Sequence, residues 1–335
     1  IYIMNQFNIF SKELLIILFL LFLVILFSLF SLCYGDAGVS IKDFINSFHD
    51  EYINNVLYEI RIPRVLAAII VGAGSALSGL LLQIIIKNPL ASPGTLGIDN
   101  ASVFGANLAL IILPSLGLNF NYLTSFSSFI FAIITQFIFL YIIRYKSHKP
   151  FIIILLGVAI ASIYHAGTML MQTYAEDNTL ASAIFWSFGD LGRINYNEIL
   201  IIANILLFSL IFLSYHLWDL NCLYLGNIDA ISLGVNVKNI YAVCIIISCL
   251  NTSVVVSFVG LIGFIGLISP QISRMIISVR LQYYLPVTCL IGSNILLLAD
   301  ILARGLTSTT IPVGIITSFF GAPVIIYLLV KEVEL

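Results

Sequence analysis

Ten runs of mostly apolar residues, most of them close to 20 residues long, punctuate this sequence. A helix needs about 20 such residues to cross the hydrocarbon layer of a bilayer. The runs lie near 14–34, 62–86, 97–113, 121–143, 151–173, 197–217, 239–261, 264–278, 283–303 and 312–330. The third and eighth are short and flanked by glycine, which predicts tilted, broken or partly re-entrant spans. A further apolar stretch at 180–189 is too short to cross. Composition agrees with this reading: of 335 residues 61% are hydrophobic and 9% charged, against roughly 25% charged in a soluble domain. Lipid must cover much of the surface. The expected fold is an all-α polytopic membrane protein of about ten transmembrane helices. No linker or low-complexity tract divides it, so residues 1–335 read as one membrane domain, with 14–34 as first span rather than a cleaved leader.

Lysine and arginine in the connecting loops orient the spans. With the N-terminus inside, Lys12, Lys87, Arg144, Lys146, Lys149, Lys238, Arg274, Arg280 and Lys331 are cytoplasmic, while Lys42, Arg61, Arg64, Arg193 and Arg304 lie outside. Acidic residues lean outward, among them Asp36, Asp190, Glu198 and Asp300. An even number of spans returns the C-terminus to the cytoplasm, giving an N-in, C-in protein of a cytoplasmic membrane. Arg61, Arg64 and Arg304 sit at or just inside the ends of apolar runs, where a charge must reach water or a partner. Either they snorkel to the interface, or they meet an acidic docking partner, which the convergence of three from distant segments favours.

Several chemistries find no support. Five scattered cysteines and four histidines show neither a disulfide framework nor metal-ligand spacing. A net charge of −2 offers no basic surface for nucleic acid. No GxxxxGK[ST] phosphate-binding run is present. Gly72, Gly74 and Gly79 fall inside one apolar helix and predict close helix packing rather than a dinucleotide loop. His165, inside the fifth span, is either a hydrogen-bonded packing residue or a functional one. A proton-coupled secondary carrier would need several acidic residues near the bilayer midplane, and the sequence offers almost none; Asp99 and Asp300 lie near span ends.

Two segments break the apolar pattern in informative ways. Asn88, Pro89, Pro93 and Gly94 interrupt the inner end of the second span, and irregular backbone at that depth is tolerated where it is buried or lines a cavity. Residues 219–238 form a cytoplasmic segment rich in Leu and Ile and punctuated by Gly226 and Gly234. Two short helices there would turn an apolar face to the cytosol, which a monomer rarely leaves without a partner, unless the segment lies flat on lipid headgroups.

The strings RIPRVLAAIIVGAGSALSGLLLQIIIKNPLASPGTLGI at 61–98, LYLGNIDAISLGVNV at 223–237, GLIGFIGLISPQISRMII at 260–277, LADILARG at 298–305 and PVGIITSFFGAPVIIYLLV at 312–330 resemble, in order and spacing, the permeases of iron-siderophore, haem and cobalamin ABC importers. This family is often called FecCD or BtuC-like. LLGVAIA at 155–161 and FWSFGDLG at 185–192 fill the middle more weakly, and the resemblance covers about 55–332. It implies a BtuC-like (type II importer) fold and a two-fold pair of copies, as homodimer or with a closely related permease. It further implies ABC ATPase subunits inside and an extracytoplasmic solute-binding protein outside. By the same resemblance Asn88 and Leu90 border the cytoplasmic gate, with Lys149 and Pro150 at the other gate position. Gly226, Asp229, Ala230, Leu233 and Gly234 contact the ATPase, and Arg61, Arg64 and Arg304 face carboxylates of the binding protein. No cofactor is expected in this chain, because ATP and magnesium belong to the ATPase. A ferric siderophore is the first cargo implied, with haem or cobalamin behind it. The sequence departs from the family pattern at Gln271, commonly His; at Val279–Arg280, where a charged turn is missing; at Ser92, often acidic; and at Asp190, usually Ser.

Overall fold

The computed structural model describes residues 2–34, 54–118, 122–145, 150–278, 280–306 and 310–333. Lys42, Lys146 and Lys149, the last from the expected second gate position, lie outside them. Among the described residues the secondary structure is helical: α1 Tyr2–Cys33, α2 Ile62–Ile86, α3 Ile98–Asn107, α4 Leu123–Tyr145, α5 Pro150–Thr173, α6 Asp177–Ser187, α7 Tyr196–Tyr215, α8 Leu217–Leu225, α9 Asn227–Ser232, α10 Val237–Val259, α11 Ile265–Ile276, α12 Leu281–Gly305 and α13 Val313–Val333. Eight spans among the described residues are long and apolar enough to cross a membrane, and Val313–Tyr327 is a shorter apolar helix. The 12-residue α11 completes the set of ten expected runs.

Why α11 is short becomes clear from its approach. The Asp190 N–H donates to Val259 O at 2.9 Å, and Phe188 and Leu261 pair as an isolated parallel bridge. Residues 260–264 therefore run as non-helical backbone from the outer side before α11 begins, each residue gaining about 3.3 Å instead of 1.5 Å. Phe264 ends the stretch at φ 70. Backbone N–H and C=O groups at membrane depth must find partners, and three interruptions between helices supply them to one another here. The Gly314 N–H donates to Gly189 O at 3.1 Å, so the end of α6, the 260–264 stretch and the start of α13 meet at one junction.

α2 is the hub. It packs against α12, α10, α11 and α7, and both buried apolar clusters draw on it, through Leu77, Leu80 and Leu81 in one and Val65, Ala68 and Val71 in the other. Glycine makes two of these contacts possible. A Cβ on Gly72 would stand 2.5 Å from Gly292 O, and one on Gly79 would collide with the Gly266 backbone. At Gly74 the nearest atoms would be at an ordinary 3.7 Å, so only two of the three glycines flagged in sequence are needed for close approach. Gly79→Ala should therefore destabilise the protein by about 2 kcal/mol through overpacking, while Gly74→Ala should be nearly neutral. Paired thermal melts in detergent distinguish them; equal melts would show that α2 and α11 are not held by this contact.

Polar side chains stitch the same helices together. Ser78 and Ser248 each donate to the other's carbonyl oxygen at 2.9 Å. Ser293 donates to Ile69 O at 2.7 Å, and Asn251 donates to Ser209 Oγ at 2.7 Å. In lipid such bonds contribute about 0.6–2 kcal/mol each.

Candidate functional site

The outer end of the bundle holds the cationic cluster. Arg61 and Arg64 enter from the first turns leading into α2, and Arg304 from the last turn of α12. None of the three stands on the outer surface: their exposures are 4%, 7% and 6%. Arg64 Nε donates to Asp300 Oδ1 at 2.6 Å, and Arg304 Nη2 pairs with Asp300 Oδ2 at 2.9 Å. Asp300 is fully buried. A second carboxylate, Asp190 Oδ1, lies 3.8 Å from Arg64 Nη2. Other donors of Arg61 and Arg304 go to the outer end of α1. Arg61 Nη1 donates to Leu32 O at 2.7 Å, and Arg304 Nη1 donates to Tyr34 O at 2.8 Å and Ser31 O at 3.2 Å. Arg304 Nη2 also donates to Ser31 Oγ. Cations belong at a helix C-terminus, where the last carbonyls lack partners and carry partial negative charge.

The sequence left these arginines either snorkelling to the interface or meeting an acidic docking partner; in the structure Arg64 and Arg304 meet an acidic residue of their own chain. Burial leaves a cation little choice but an internal carboxylate, and Asp300, assigned only to the outer side in sequence, supplies it. Arg193 has a comparable task. It donates to the carbonyls of Phe185, Trp186 and Phe188, closing the C-terminus of α6. Burial pushes its basicity below the usual arginine range, with Asp190 opposing that shift. A basic residue a few positions past an apolar helix was the readable signal for this cap.

At the opposite end, Lys87 closes α2 in the left-handed region with φ 53. Asn88 then folds the turn: its Oδ1 accepts from the Leu90 N–H at 2.8 Å, and its carbonyl accepts from the Ala91 N–H at 3.1 Å. Leu90 is exposed. Beside the turn lies a cavity of about 290 Å³, bordered by Gln83, Lys87, Asn88, Tyr224, Arg274 and Tyr284. Pro150, from the other expected gate position, begins α5. A second cavity, about 670 Å³, opens at the junction of the three interruptions between helices, against Phe188, Leu261, Gly314, Ser318 and Phe319. His165 is exposed on α5, so packing within its own chain does not explain it.

The segment 219–238 folds as the short helices α8 and α9 around Gly226, which lies at φ 156, followed by Gly234 at φ 84. Leu225, Ile228, Ile231 and Leu233 are 71%, 81%, 63% and 51% exposed. Asp229 and Gly234 are exposed beside them. Ala230 differs from its neighbours: it is fully buried, so it seats α9 on the bundle instead of facing outward.

Lipid-spanning helices, a convergence of broken segments and a bare apolar handle on one face define a membrane transport subunit rather than an enzyme. A model of the FecCD transport family matches residues 21–331. An ABC transporter permease protein of Methanocaldococcus jannaschii is 40% identical, covering 90% of this chain and 89% of its own length. The Fe(3+)-citrate import system permease of Bacillus subtilis is 36% identical over 84% of each chain. The molybdate import system permease of Haemophilus influenzae is 35% identical over 82% of this chain and 80% of its own. Among solved structures, an inward-facing metal-chelate type ABC transporter superposes with a TM-score of 0.82 at 30% identity, covering 95% of this chain and 99% of that one. The chain belongs to the FecCD transport family and is a multi-pass permease of the cytoplasmic membrane.

Proposed function

We propose that this chain imports a ferric chelate across the cytoplasmic membrane, acting as a pair of copies with two separate ATPase subunits and a solute-binding protein. The observation that carries the reading is the exposed apolar face of Leu225, Ile228, Ile231 and Leu233 on a chain that has no phosphate-binding loop of its own. Such a face calls for a protein partner on the cytoplasmic side. ATP and its magnesium would be held by that partner, whose nucleotide state biases the permease between outward- and inward-open forms. Exposed Leu155, Ile163, Leu170, Phe319 and Ile326 on α5 and α13 offer surface for a second copy. Relatives named for the import of ferric citrate and of molybdate support a metal-containing cargo, and iron chelates recur among such names. Uptake of radiolabelled ferric citrate and ferric hydroxamates by cells lacking this chain should fall at least about tenfold; unchanged uptake of every chelate would overturn the substrate class.

Docking of the binding protein belongs to the outer face built over Arg61, Arg64 and Arg304. Because Arg64 is shared between Asp300 and Asp190, a carboxylate of the incoming protein would take the place of Asp190, the more accessible of the two. Asp190→Asn keeps the oxygen that accepts from the Gly192 N–H but removes the competing charge. It should raise the docking rate about threefold at low salt, an effect screened away at high salt. An unchanged rate in surface-plasmon or stopped-flow measurements places the docking surface elsewhere.

A further inference from the structure

Gln271 stands where the family commonly has histidine, and its amide is fully engaged. Nε2 donates to Gln83 Oε1 at 3.0 Å and to Pro89 O at 3.2 Å, while Oε1 accepts from Arg274 Nη2 at 2.9 Å. The orientation is forced from both ends. Gln83 Nε2 donates to Gly266 O at 3.4 Å and Leu267 O at 3.2 Å, so its oxygen must face Gln271. Arg274 offers only donors, so the Gln271 oxygen must face Arg274. The two amides thus link α2, α11 and the Asn88–Leu90 turn.

The turn gets its shape from within, through the Asn88 contacts to Leu90 and Ala91. The bond from Gln271 to the Pro89 carbonyl fixes the turn's position, because it ties the turn to a different helix. On one side of the turn is the cavity of about 290 Å³, with Tyr224 of α8 on its wall. Tyr224 immediately precedes Leu225 on the exposed apolar handle. The turn therefore has room to move, and that room is bordered by the segment a partner would push.

We propose that Gln271 is a positioning residue of the inner gate: its amide N–H tethers the Asn88–Leu90 turn to α11, and breaking that tether frees the turn. The proposal rests on the importer reading above, which makes this turn a gate. Glutamate at 271 has the same shape and cannot donate from an ionised carboxylate, while histidine keeps a ring N–H.

The test uses the full chain in nanodiscs with its ATPase, carrying a nitroxide on Leu90→Cys in a Cys33→Ser background, read by electron paramagnetic resonance. In the parent protein the label should be immobile without nucleotide and mobile with it. Gln271→Glu and Gln271→Ala should each raise the mobile-to-immobile ratio without nucleotide by up to about tenfold, as expected for loss of the one hydrogen bond that holds the turn. Gln271→His should restore the parent spectrum, which a merely structural role would not require. Gln83→Leu removes one acceptor and should give an intermediate ratio, serving as the readout if a 271 variant does not insert. A nucleotide-responsive label that ignores Gln271 and Gln83 overturns the tether alone, as would a histidine variant as mobile as the glutamate one. A parent label that ignores nucleotide overturns the gate reading and this inference with it.

Discussion

Asp300→Ala should cost the folded permease about 3–5 kcal/mol, the penalty for leaving buried cations without their counter-ion. Asp300 is fully buried between Arg64 and Arg304, and neither guanidinium can swing to water without leaving the carbonyls or loop it packs against. A loss of that size corresponds to a drop in melting temperature of order 10 °C. Asp300→Asn, which keeps the shape and one acceptor, should lose less. Arg64→Glu should be worse than Arg64→Ala, because it sets a third carboxylate against Asp300 and Asp190. Thermal melts of the four variants in detergent check the order. If Asp300→Ala melts with the parent, the outer cluster is not a structural network.

The second large effect concerns coupling. Ile228→Asp and Leu233→Asp place a charge in the exposed apolar face without disturbing the bundle, since both side chains point outward. Melting should be unchanged within about 0.5 kcal/mol, as for other surface substitutions. Binding of the ATPase should weaken at least about tenfold if either residue is a central anchor of the interface, and transport should fall with it. Ala230→Asp should behave differently: Ala230 is buried, so its substitution should lower melting as well as coupling. Affinity measured by microscale thermophoresis, with melting as control, separates the two classes. Full affinity in the Leu233→Asp variant would move the coupling surface off α8 and α9.

The sequence was most readable where a single physical rule governs. Length and apolarity define spans, so ten runs were found, and glycine at close helix spacing pointed to Gly72 and Gly79. Less readable were features that depend on two distant segments. Asp300 and Arg304 are one turn apart, yet nothing in that spacing says that Arg64, more than two hundred residues earlier, shares the carboxylate. Charge placement therefore suggested an external partner when an internal one was already present. The same limit hid Gln271, whose partners Gln83 and Pro89 come from another helix and its following turn. Gly74 failed for the opposite reason: helical periodicity alone does not say which face meets a backbone. The short eighth run was expected to be tilted, broken or partly re-entrant, and its shortness goes with the backbone pairing of 188 with 261 and 189 with 314, which no local pattern encodes.

The central claim is that this lipid-embedded bundle moves cargo only when a separate motor acts on the 219–238 segment. Reconstitution of the purified chain in liposomes with its ATPase and solute-binding protein, followed by radiolabelled ferric citrate, tests it directly, with a panel of ferric hydroxamates run alongside. Accumulation should require hydrolysable ATP and all three components, and should vanish in the Leu233→Asp variant. Accumulation by the chain alone, with no nucleotide-hydrolysing companion, would contradict the account.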